Sequence, residues 1–177
     1  YIEVHSFDLS SLNVFLGEDY VLKGIVDARA SIRDPYHDVI FSSDIAVDSL
    51  IVNNREIGNL SALSIWNPRK EELRIDGRLE KDSLSAAGFN RYTPLSFAGY
   101  YRPNNEKSPL DLTATINQLD LSFINAFMEP EILEIKGFAS GTMAITGTAE
   151  APQMRADALL KDASVYVYYL NTQYSIH

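Results

Sequence analysis

The sequence predicts an all-β chain: an antiparallel meander that carries two short helices. Three observations point there. Apolar and polar residues alternate with period two through one segment after another, turn formers recur about every ten residues, and only two short runs have helical spacing.

Taken in order, residues 8–17 (DLSSLNVFLG) set Leu9, Leu12, Phe15 and Leu16 at helical spacing, with Asp8 or Ser10 as N-cap and Gly17 as a stop. The small-residue run KGIVDARASI (23–32) reads as a strand, and VDSLIVNN (47–54) and ALSIW (62–66) as β-branched or aromatic strands closed by Asn67-Pro68. ELRIDGRLE (72–80) puts Leu73, Ile75 and Leu79 on one side and Arg74, Asp76 and Arg78 on the other. SFAGYY (96–101) precedes the breaker Arg102-Pro103-Asn104-Asn105. In PLDLTATINQ (109–118), Leu110, Leu112, Ala114 and Ile116 oppose Asp111, Thr113, Thr115 and Asn117, as a half-buried strand requires.

The second helical run, DLSFINAFMEP (120–130), puts Leu121, Ile124, Phe127 and Met128 on one face and ends at Pro130. Both runs are about two turns long, too short to persist alone, so their apolar faces are expected to dock on the sheet or close its end. KGFASGTMAI (136–145) is a second small-residue strand, Gly147 to Pro152 a turn, and QMRADALLK (153–161) a strand with Met154, Ala156, Ala158 and Leu160 on one side. SVYVYYL (164–170) is apolar on both faces and so is expected to be covered on both; Tyr166, Tyr168 and Tyr169 are packing residues or the lining of a ligand groove or interface.

An internal repeat underlies this order. Asp8-Leu9-Ser10 aligns with Asp120-Leu121-Ser122, Asn13 with Asn125 and Phe15 with Phe127; one residue out of register, Lys23-Gly24 aligns with Lys136-Gly137 and Ile32 with Ile145. The expected organisation is a single elongated β domain over 1–177, with related stretches at about 2–64 and 112–177. Tyr1 opens without an initiator Met and "NTQYSIH" closes on an alternating segment, so the chain is expected to be a fragment of a longer protein whose edge pairs with another copy.

Composition narrows the function classes. Of 177 residues, 24 are acidic and 15 basic, a net charge of -9, with the bases dispersed rather than gathered into a phosphate-neutralising stripe, so nucleic acid is not an expected partner. With no cysteine there are no disulfides and no thiolate metal ligands. No apolar run reaches the length of about 18 residues that a membrane-spanning helix needs.

Few residues of the sequence stand in patterns that carry chemistry. His5, His37 and His177 form no metal-binding pattern, and Asp34-Pro35-Tyr36-His37-Asp38 reads as a solvated hairpin loop and receives no role. Gly137, Gly141 and Gly147 lack phosphate-loop spacing and instead let a strand bend or lie close to its neighbour. Asp44 with Asp48, and Glu71 with Glu72, read as solvated charge, and Asn59-Leu60-Ser61 as a chance glycosylation tripeptide. No enzyme, cofactor or metal is expected.

The stretch from Phe138 to Ile176 has a more specific pattern. Gly137, Ser140-Gly141, Met143, Ile145, Gly147-Thr148, Pro152, Met154, Leu160 and Asp162-Ala163 fall at the spacing of a run found near the C-terminus of the TamB family, the translocation and assembly module subunit, and the ending YLNTQYSI is similar to tails of some branches. The helix LDLSFINAF fits too, residues 2–64 resemble a degenerate earlier copy, and Ala156 departs where a Gly is usual.

The resemblance implies a long curved antiparallel sheet, an open taco-like shell with an apolar inner groove, on a protein anchored in the inner membrane of double-membraned bacteria. That protein crosses the periplasm toward a BamA-like outer-membrane barrel. It also implies two uses of the groove: assembly of outer-membrane β-proteins such as autotransporter-like clients, or passage of phospholipid between membranes; a structural spacer is the plain alternative. The expected groove lining is Leu73, Ile75, Leu79, Leu110, Leu112, Ala114, Ile116, Met143, Ile145, Met154, Ala156, Ala158 and Leu160, touched by client β-strands or acyl chains.

Overall fold

The computed structural model describes residues 1–16, 21–33, 40–85, 88–127, 133–148 and 150–176. Ten strands form one antiparallel sheet in which spatial order equals chain order: β1 (Ile2–Asp8), β2 (Leu22–Arg33), β3 (Ile40–Val52), β4 (Arg55–Asn67), β5 (Glu72–Ser85), β6 (Gly88–Tyr101), β7 (Leu110–Asp120), β8 (Leu133–Gly147), β9 (Pro152–Val167) and β10 (Thr172–Ile176). The all-β meander with two short helical regions expected from the alternation is what forms. The opening strand β1 was not read from the sequence, although Ile2 and Val4 already alternate there.

The two helical regions are mostly 3-10. The first is η1 (Leu9–Leu12) followed by one α turn, α1 (Asn13–Leu16); the second is η2 (Leu121–Phe127). Each starts with the same device, an aspartate accepting from the backbone two residues on: Ser10 N–H to Asp8 Oδ1 at 2.8 Å, and Ser122 N–H to Asp120 Oδ1 at 2.9 Å. Each is then tied to the next strand by one asparagine. Asn13 donates to Leu22 O and accepts from Leu22 N–H, at 2.9 and 2.8 Å; Asn125 does the same to Ile135 at 2.7 and 2.8 Å. The stops expected at Gly17 and Pro130, and Met128, lie outside the described residues.

Docking separates the two regions. η2 lies over the sheet and completes the core: Val52, Ile57, Leu79, Leu119 and Ala126 are buried together, with Leu22, Leu50, Leu95, Ile116 and Phe123 packed against them. The β3–β4 turn reinforces it. Asn53 and Asn54 both take positive φ, 49° and 61°, as a two-residue hairpin turn matched to strand twist requires, and Asn53 Nδ2 donates to Ala126 O at 2.8 Å. The first region does not dock as expected: although Asn13 ties it to β2, Leu12, Val14, Phe15 and Leu16 are all exposed.

The ladders are interrupted by bulges. Ser6, Ser49, Gln118 and Asp162 have φ between 48° and 53° and sit at register shifts of β1/β2, β3/β4, β7/β8 and β8/β9. At three of them the partner strand catches the bulged N–H with a side chain: Asp27 for Ser6 at 3.1 Å, Asn59 for Ser49 at 2.8 Å and Ser140 for Gln118 at 2.9 Å. An extra residue on one strand bends it and increases local twist, so these positions curve the sheet at the end where η2 docks.

Cover is incomplete. The solvent-accessible surface is 12,276 Å², against about 8,600 Å² for a compact monomer of this mass. A single layer with one short helical cap exposes much of a face that a two-layer fold would bury.

Candidate functional site: an apolar face spanning the sheet

Cross-strand partners in an antiparallel ladder point to the same side, so the register assigns faces directly. One ladder runs Val4, Ala28, Ile45, Ala62, Gly77, Phe97, Ala114, Met143, Ala156 through nine successive strands without a polar side chain. Beside it runs Phe7, Val26, Val47, Leu60, Leu79, Leu95, Ile116, Gly141, Ala158, equally apolar. On the other side Ile75, Gly99, Leu112, Ile145 and Met154 form a third rung set, and Leu73, Tyr101, Leu110, Gly147 and Pro152 a fourth. Leu119, Ala139 and Leu160 resume the face beyond the bulge at Gln118.

All thirteen residues expected to line a groove therefore share one face. Sequence reading missed its β1–β4 half, where Val4, Ala28, Ile45 and Ala62 carry the same ladder; alternation across small residues such as Ala28 and Ala30 was the available signal. At nine strands spaced about 4.8 Å apart the central ladder spans about 38 Å.

Cover is uneven. Leu79, Ala114, Leu119 and Ala139 are buried near η2 and mid-sheet, whereas on β9 Met154 is 65% and Leu160 41% exposed. Small residues allow close packing: the Phe97 ring lies over Gly77, where any Cβ would stand 2.2 Å from the ring's Cζ.

The opposite face is polar and ion-paired. Across strands the run Glu3, Arg29, Asp44 leads to Leu63 and Asp76, and Asp27, Ala46, Ser61, Arg78, Ser96, Thr115, Thr142 and Asp157 form another ladder. Within strands, Arg74 pairs with Asp76 at 2.8 Å and Arg78 with Glu80 at 3.1 Å. The hydrogen bond and charge of Asp76 push the Arg74 guanidinium above its ordinary range. A depression of about 580 Å³ lies here, lined by Asp44, Ser61, Asp76, Arg78, Ser96 and Thr115 among others. The apolar set thus forms an open face, and the concavity described belongs to the polar side.

Glu72 is buried rather than solvated, held by Arg102 at 3.0 Å and Lys70 at 3.7 Å, which pins the loop after β6 to β5. Glu71 meets Asn104, and Asn59 is the bulge acceptor already described. SVYVYYL is not one strand: Val165 and Val167 face the apolar side, while Tyr168–Leu170 turn into a 3-10 helix, η3, exposed to solvent, with Asn171 at φ 49° ending it. Tyr166 and Tyr168 meet edge to face at 4.8 Å.

His5 lies 3.5 Å from Glu3 and 3.6 Å from Asp27; among the described residues no cluster has the make-up of a metal site. His37, His177 and the Asp34–Asp38 cluster lie outside the described residues. Among the described residues no helix is long and apolar enough to cross a membrane. No family model, curated protein or solved structure matches this chain.

Proposed function

We propose that the chain is a non-enzymatic periplasmic segment of a TamB-like envelope protein. In this reading its apolar sheet face supports the assembly of outer-membrane proteins, autotransporter-like clients among them, opposite a BamA-like barrel and on a parent anchored in the inner membrane. One observation carries the reading: an apolar face continuous over nine strands and left partly open, most of all on β1 and β9. Such a face holds extended, half-apolar client strands in the way a sheet holds a partner layer, and unpaired strand edges offer main-chain hydrogen bonds besides. A closed enzyme-like cleft is not part of the proposal.

A second reading is favoured by a specific feature of the same face. The ladder from Val4 to Ala156 has no polar side chain, which suits an acyl chain better than a peptide that brings its own amides. At about 0.8 kcal/mol per buried methylene, a sixteen-carbon chain gains on the order of 12 kcal/mol by leaving water. Under this reading the segment is a phospholipid conduit between the membranes.

Leu112→Asp and Ile145→Asp test both readings. Each places a charge mid-face on the open side of the sheet, so each variant is expected to stay folded by circular dichroism while client or lipid retention falls at least about tenfold. Unfolding of either variant would mean a closed core and would remove the proposal. Lipid extraction of the purified chain followed by mass spectrometry separates the two readings: phospholipid above background supports the conduit, and its absence with retained client binding supports assembly.

A further inference from the structure

The polar face carries a feature that neither client strands nor acyl chains account for. β5 lays charged residues between apolar ones on both neighbours: Asp76 stands between Leu63 of β4 and Ala98 of β6, and Arg74 between Ile65 and Tyr100. Leu63 is 42% and Ile65 43% exposed. This strip lies in the depression of about 580 Å³ and a second of about 390 Å³ beside it, which share Asp76, Ala98 and Thr113. We propose that this trough binds a linear, uncharged oligosaccharide of β-linked pyranose rings.

The side chains supply what a sugar needs. A pyranose ring has apolar C–H faces and a rim of hydroxyls that both donate and accept. Leu63, Ala98 and Tyr100 offer surface to the faces, and the Arg102 guanidinium, 5.0 Å from the ring centre of Tyr100, steadies that ring. Arg74 donates to both carboxylate oxygens of Asp76, at 2.8 and 3.2 Å. The pair is thereby held in one geometry and keeps spare N–H groups and lone pairs side by side for neighbouring sugar hydroxyls. Ser96, Thr113 and Thr115 add hydroxyls of their own.

Other occupants fit less well. Arg74 with Asp76, Arg78 with Glu80 and Arg102 with Asp111 leave the trough nearly neutral, so it has little field for a polyanion or a polycation. An acyl chain would leave these charges desolvated. An added peptide strand needs a free edge, and β3 to β7 are interior strands paired on both sides. From Asp44 on β3 to Thr113 on β7 the trough crosses four strand spacings, about 19 Å, along the sheet surface. That course suits the flat ribbon of a β-linked chain rather than the coil of an α-linked one.

The test uses the whole chain and two probes, the β-1,4-linked tetramers of glucose and of N-acetylglucosamine. The α-1,4-linked glucose tetramer and a heparin fragment are the controls. Amide NMR shifts confined to β3–β7 are expected with at least one β-linked tetramer, saturating in the millimolar range of an open site. Asp76→Ala and Tyr100→Ala, neither of them buried, are each expected to weaken binding at least about tenfold with circular dichroism unchanged. Leu112→Asp, on the apolar face, is expected to leave sugar binding intact, so this site and the client or lipid face stand or fall separately. No shift at about 10 mM β-linked tetramer overturns the proposal. So does equal binding of the α-linked tetramer, tighter binding of heparin, or affinity that survives both substitutions.

Discussion

At the scale of single residues, order in this molecule rests on side chains that complete backbone hydrogen bonds. Asn125 is buried and satisfies both backbone groups of Ile135, so Asn125→Ala leaves them unpaired. We expect a loss of about 2 kcal/mol in urea unfolding, and about 1 kcal/mol for Asn13→Ala, whose site is more open to water. Gly137 carries φ 112° with Ala163 Cα 2.6 Å from where a Cβ would stand. Gly137→Ala is therefore strained twice over and should cost more than about 1 kcal/mol.

Asp8 supplies a pH test at the same scale. The Ser10 N–H holds its carboxyl below the ordinary carboxylate range. A depressed folded-state value stabilises above the unfolded pKa and the benefit is lost as pH falls through the folded value. The Ser10 amide signal should therefore shift below about pH 4, and Asp8→Asn should abolish the shift.

At the scale of elements, the contrast between η2 and α1 decides where stability resides. Leu79→Ala, beneath η2, should cost about 2–5 kcal/mol, whereas Val14→Asp should change stability by less than about 0.5 kcal/mol in the same unfolding experiment. Strands with period-two patterning, such as Leu110 to Ile116, were legible because alternation and burial coincide there. The bulges were not: at Ile116-Asn117-Gln118-Leu119 the face resumes one residue late, and nothing in residue type marks Gln118 as the one with positive φ. The helical spacing of Leu9, Leu12 and Phe15 was read correctly as a short helix, but docking depends on which strands lie beneath, and that is a property of topology. Glu72 looked like solvated charge because its partner Arg102 is thirty residues away.

At the scale of the whole molecule, the sheet is a single layer with one charged face and one apolar face. The surface of 12,276 Å², well above the value for a compact chain, follows from that one-layer construction. The apolar half over β5–β9 was legible in the alternation, and the β1–β4 half was hidden by alanines and serines such as Ala28, Ala62 and Ser64. If the open face is the working surface, charge placed on it should abolish retention while charge placed opposite should not. Thr113→Asp, on the polar face beside Leu112, is expected to leave both fold and retention unchanged, checked by the same binding assay used for Leu112→Asp.

The central claim is tested most directly by photo-crosslinking in the envelope of a double-membraned bacterium, with a crosslinker placed in turn at each position from Leu110 to Ile116. The account predicts adducts to outer-membrane precursors or phospholipid from Leu110 and Leu112, on the uncovered part of the apolar face, and none from Asp111, Thr113 and Thr115. Equal adducts from both sets, or adducts from the polar set alone, would contradict it.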